Sequence, residues 1–164
     1  MMITTLILTS LMADGSIPAP KFIQAGRPYL LVQQLHAIDN LDKGDALGAN
    51  RADFFAIVIV NGVTYKTEIM AKDKGEPNWI IPMDRTKRYS KVHFTLMDQD
   101  GGLEGKDDHV DINRRAGHKD LMFTFDRTTG RISGNVTGMM NKSIHSIGKG
   151  DNDKGEITFV ITKK

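Results

Sequence analysis

Apolar positions in this chain come in short runs broken by Gly, Asp, Asn and Pro, and within several runs they alternate with polar residues. In 91–97, Val92, Phe94 and Leu96 alternate with Lys91, His93 and Thr95, so one face is buried and the other wet. The β-branched and aromatic content of these runs predicts strands near 29–37, 54–60, 63–70, 78–82, 91–97, 121–126, 131–136 and 156–162. Helical periodicity is almost absent. About eight strands in one chain predict two packed antiparallel sheets, an all-β sandwich.

Two turns fix local pairing. Asn61-Gly62 between two apolar runs favours a type I′ hairpin, because both residues tolerate positive φ. Asp126 to Gly130 likewise joins two strands, with Gly130 suited to a left-handed position. Ahead of the first strand, residues 3–13 (ITTLILTSLMA) form an apolar run too short to span a bilayer as a helix. It lacks the positive flank and small-residue cleavage pattern of a signal peptide. Ser16 to Pro20 reads as a linker. Residues 1–28 are thus expected to be an extension and 29–164 one β-sandwich domain.

Charge narrows the partner classes. The 164 residues carry 22 Lys+Arg against 20 Asp+Glu, so no basic surplus suggests nucleic acid. With no cysteine there is no disulfide, thiolate zinc site or cysteine nucleophile. Compartment stays open, leaning to a cytoplasmic or peripheral-membrane placement over secretion. No GxSxG occurs, and Gly101-Gly102 and Gly148 to Gly150 lack the strand–loop–helix context of a phosphate cradle, so no enzymatic activity is expected. The histidines at 36, 93, 109, 118 and 145 have no i, i+4 spacing, which argues against zinc. Trp79, Ile80 and Ile81 read as core.

The stretch 97–113 (MDQDGGLEGKDDHVDIN) concentrates the chemistry. Asp98, Asp100, Glu104, Asp107, Asp108 and Asp111 crowd together just after a strand. Carboxylates this dense raise one another's pKa or recruit a cation, and flexible, oxygen-rich loops suit calcium better than magnesium. The EF-hand pattern does not fit: a loop started at Asp98 puts Gly102 at position five, Leu103 at position six and His109 at position twelve. Other loops must complete the ligand set. Residues 39–53 (DNLDKGDALGANRAD) supply acids from a second loop.

The order of these features resembles a C2 domain, the calcium-dependent phospholipid-binding β-sandwich. An acidic loop ends in Asp53 directly before an aromatic strand (Phe54, Phe55), and Tyr65-Lys66-Thr67 follows on the next strand. Glu76-Pro77-Asn78-Trp79 is similar to the family's Asn-Pro-x-Trp, and a strand then ends in Asp98-x-Asp100 with Asp108 beyond. The resemblance covers about 29–112. It implies a Greek-key sandwich and calcium ligands at Asp53, Asp98, Asp100 and Asp108. Asp45 is nearest in spacing for the remaining first-loop ligand and Asp42 next; Asp107, Asp111 and Asn113 are spare oxygen donors. It further implies peripheral docking on anionic phospholipid, with Leu103, Leu41 or Leu47 inserting shallowly. Phe54 stands where the family has Pro and Asp111 where it has Gly, and the chain beyond Arg114 follows no family motif. A separate basic group, Lys66, Lys72, Lys74, Arg85, Lys87, Arg88 and Lys91, would attract acidic lipid if it lay on one sheet face. The competing expectation is a calcium-stabilised secreted or surface module that binds protein or carbohydrate.

Overall fold

The computed structural model describes residues 12–38, 52–99, 107–150 and 152–163. Among these there is no helix, and the strands form two sheets. In chain order they are β1 (Ile17–Pro18), β2 (Pro28–Ala37), β3 (Asp53–Val60), β4 (Val63–Lys66), β5 (Met70–Ala71), β6 (Lys74–Gly75) and β7 (Trp79–Pro82). There follow β8 (Tyr89–Asp98), β9 (Asp108–Val110), β10 (Leu121–Asp126), β11 (Arg131–Gly134), β12 (Gly138–Met139), β13 (Ser143–Ile147) and β14 (Gly155–Lys163). The first sheet runs β1-β4-β3-β8-β10-β11-β12, with β5 on β3 and β9 on β8. The second runs β13-β14-β2-β6, with β7 on β2. The protein is an all-β sandwich.

Alternation builds the core. Phe54, Ala56 and Val58 of β3, Phe94 and Leu96 of β8, and Leu121, Phe123 and Phe125 of β10 point inward from the first sheet. Leu30, Val32 and Leu35 of β2 and Ile157, Phe159 and Ile161 of β14 meet them from the second. Phe123 stacks on Phe159 across the interface, ring centroids 5.4 Å apart. Trp79 is buried, as expected. The inward positions of β2 switch from even to odd between Val32 and Leu35, because Thr158 pairs with Gln34 while Phe159 pairs with Val32. The extra residue is a bulge, which returns Leu35 to the core that strict alternation would deny it.

Asn61 and Gly62 both take positive φ, 50° and 89°, and join β3 to β4 with Val60 opposite Val63. The expected run 63–70 is cut in two. Thr67 Oγ1 accepts the Ala56 N–H at 2.8 Å, a place a ladder carbonyl would otherwise fill, and pairing resumes at β5. Ile17–Pro18, in the stretch read as a linker, pairs parallel with Tyr65 and Lys66 of β4 at the sheet edge, where Pro18 needs no outward N–H.

Candidate metal centre

β8 ends at Asp98, which sits between two partners: Phe54 of β3 on one side and Asp108 of β9 on the other. The register puts the Asp98 and Asp108 side chains on one face, at the last rung before both strands leave the sheet. Asp98 is 1% exposed and its Oδ1 accepts the Asp53 N–H at 2.6 Å, a short bond of the kind charged acceptors make. The Gln99 N–H returns to the Asp53 carbonyl at 3.0 Å, so Asp98 is pinned to the start of β3. Asp53 belongs to the outward set of β3 (53, 55, 57, 59). It touches Asp98 through its amide, and its carboxylate starts from the opposite face of the sheet.

The structure thus brings Asp53, Asp98 and Asp108 to one end of the first sheet. Asp45 and Asp100, like Asp42, lie outside the described residues. The segments that carry them are attached at this same end, to Ile38 and Ala52 and to Gln99 and Asp107. Among the described residues no group of three or more His, Asp or Glu is arranged to hold a metal. The described carboxylates suit a hard cation chemically, but a full ligand set needs oxygens beyond them.

Two of the spare donors are committed elsewhere. Asp111 is buried; Oδ1 accepts the Asn113 N–H at 2.8 Å and Oδ2 the Gly150 N–H at 2.6 Å. Its backbone receives the Gly155 N–H at 2.8 Å and donates to the Asp153 carbonyl at 2.7 Å. Asn113 accepts from the Arg115 N–H and donates to the Asp120 carbonyl. Asp111 and Asn113 therefore fasten the β13–β14 loop to the chain after β9. A Cβ at Gly148 would lie 2.1 Å from the Asp111 carbonyl oxygen, and one at Gly150 2.8 Å from Oδ2. That close approach accounts for both glycines. Asp107 is exposed.

Sequence spacing missed the histidine arrangement. On the outer face of the first sheet, His93 Nε2 and His109 Nε2 each lie 2.5 Å from a different oxygen of Asp120. Burial pushes the Asp120 carboxyl up, but the two imidazoles outweigh it and hold the pKa below its ordinary value. On the second sheet Glu156 lies 2.6 Å from His145 Nε2 and 3.4 Å from His36 Nδ1; the hydrogen bond to His145 is the main cause of its lowered pKa. The i, i+4 rule applies to a helix, whereas cross-strand register joins residues of any separation.

The basic residues do not share a face. Lys66 lies outward on β4, its Nζ 4.8 Å from the Phe55 ring centroid, whereas Lys74 pairs with His36 in the second sheet. Lys87, Arg88 and Lys91 gather at the start of β8, the end away from Asp98.

No family model matches the chain, and no curated protein matches it. Among solved structures it is similar to human GIVD cytosolic phospholipase A2 in complex with methyl gamma-linolenyl fluorophosphonate, with a TM-score of 0.46 and 13% identity. That match covers 84% of this chain and 17% of the phospholipase chain, so this chain spans a small part of that protein's length. The sandwich assignment stands on the strand pairing itself.

Proposed function

We propose that the protein is a C2-like calcium-binding module that docks peripherally on anionic phospholipid, and that it is not an enzyme. The observation that carries this reading is the placement of Asp98 opposite Asp108, with Asp98 held by the Asp53 amide, where both acidic segments join the sandwich. Asp45 and Asp100, on those segments, would complete a shell of carboxylate oxygens. Such a donor set suits an ion that takes six to eight oxygens in flexible geometry. Asp98, fixed by the Asp53 amide, gives the shell a rigid base. The ion would neutralise the loop carboxylates and bridge them to lipid phosphates, drawing the protein to an anionic surface.

Co-sedimentation with phosphatidylserine vesicles tests the proposal. Pelleting in calcium, loss in chelator, and loss in Asp100→Asn/Asp108→Asn are expected. Calcium binding without pelleting would favour the other class, a module whose ion is structural and whose partner is protein or carbohydrate.

A further inference from the structure

The outer face of the first sheet combines two features that ordinarily occur apart. In cross-strand register, Ile59 of β3, His93 of β8 and Met122 of β10 form one row, and Lys91, Thr124 and Ser133 the next. These rows floor an open groove of about 810 Å³ that Lys87, Arg88 and Tyr89 also line. Met122 is 54% exposed and Tyr89 48% exposed, large apolar surface left in water beside three cations. Gly134, at φ 135°, lets β11 lie close against β10: a Cβ there would come within 2.5 Å of the Met122 carbonyl oxygen.

The acids nearby are already engaged. Asp126 pairs with Arg88, at 3.2 Å to Nε and 2.9 Å to Nη2. Asp84 is engaged by the Asn61 amide, the Thr86 hydroxyl and the backbone N–H groups of Thr86 and Lys87. Asp120 is bridged by His93 and His109. No ion pair among the described residues engages Lys87 or Lys91. Lys87 and Lys91 thus line the groove without a carboxylate partner among the described residues, beside the apolar surface of Ile59 and Met122. A bare anion would need no such floor, and an uncharged apolar ligand no such rim.

The geometry points to a second binding site: a groove that takes one molecule of an anionic amphiphile, its phosphate or carboxylate head at Lys87 and Lys91 and its alkyl chain along Ile59 and Met122. The volume is that of a small-molecule pocket. The site lies at the end of β8 opposite Asp98 and calls for no calcium.

Calorimetry in chelator with octyl phosphate, which stays monomeric at millimolar concentration, tests this independently of the calcium reading. Saturable 1:1 binding is expected, with inorganic phosphate and octylammonium failing to compete. Lys91→Glu and Met122→Glu alter exposed side chains; each should weaken binding about tenfold while leaving the melting temperature unchanged. Inorganic phosphate binding as well as octyl phosphate would overturn the role of the floor, and octylammonium binding as well would overturn that of the cations. Pelleting with phosphatidylserine vesicles in chelator, without binding of octyl phosphate, would replace the groove with a membrane surface. No binding to either probe would overturn the proposal outright.

Discussion

The two ends of β8 handle carboxylates in opposite ways. At the Tyr89 end, side chains engage each acid. The Arg88 guanidinium holds the Asp126 carboxyl well below the usual range, and the Asn61 and Thr86 side chains do the same for Asp84. At the Asp98 end, the backbone holds them: Asp98 takes the Asp53 amide, and Asp111, just past β9, takes the amides of Asn113 and Gly150. Backbone donors fix a carboxylate in place without cancelling its charge, whereas an arginine cancels it. Asp98 thus keeps its charge at one end of the strand, whereas Arg88 cancels that of Asp126 at the other.

The comparison can be broken by substitution. Asp111→Ala leaves one buried and one part-buried backbone N–H without an acceptor, and a loss of about 2–4 kcal/mol in urea unfolding is expected. Asp126→Ala, at the exposed end, should shift the same midpoint far less, since exposed pairs contribute little. Equal losses would show that the amide-held acids are no more structural than the arginine-held one. Next in size is calcium: at a hundredfold excess over Kd, an ion bound by the native state alone adds about 2.7 kcal/mol, read as a rise in Tm that chelator reverses. Lys87→Glu at the far end should leave that rise intact.

The smallest effect expected is on pH dependence. Asp120 has a folded pKa below its unfolded value, so the unfolded state binds more protons between the two. Its contribution is complete above the ordinary carboxylate pKa of 3.8 and is lost as pH falls through the lowered folded value. Asp120→Asn should therefore flatten the fall in stability below about pH 4, seen in urea melts at stepped pH. An unchanged slope would remove Asp120 from the balance.

The sequence made the sandwich legible because β3, β8 and β10 alternate or turn at residues whose local chemistry decides the matter, such as Asn61-Gly62 and Gly130. It missed β13, whose SIHSI pattern places the polar Ser146 inward, where its hydroxyl donates to the Ile112 carbonyl at 2.7 Å. It also missed the β2 bulge, which depends on the partner strand. Counting carboxylates located the acidic end but could not separate Asp108 from Asp111. The difference lies in backbone amides from Gly150 and Asn113, which sequence density does not reveal. The His93–Asp120–His109 bridge was hidden because register, rather than spacing, assembles it.

Calorimetric calcium titration of the wild-type chain beside Asp100→Asn/Asp108→Asn asks whether these carboxylates hold the ion. Saturable heat is expected from the wild type and its loss in the variant, with both folded by their melting curves. Equal heats from the two proteins, or none from either, would contradict it.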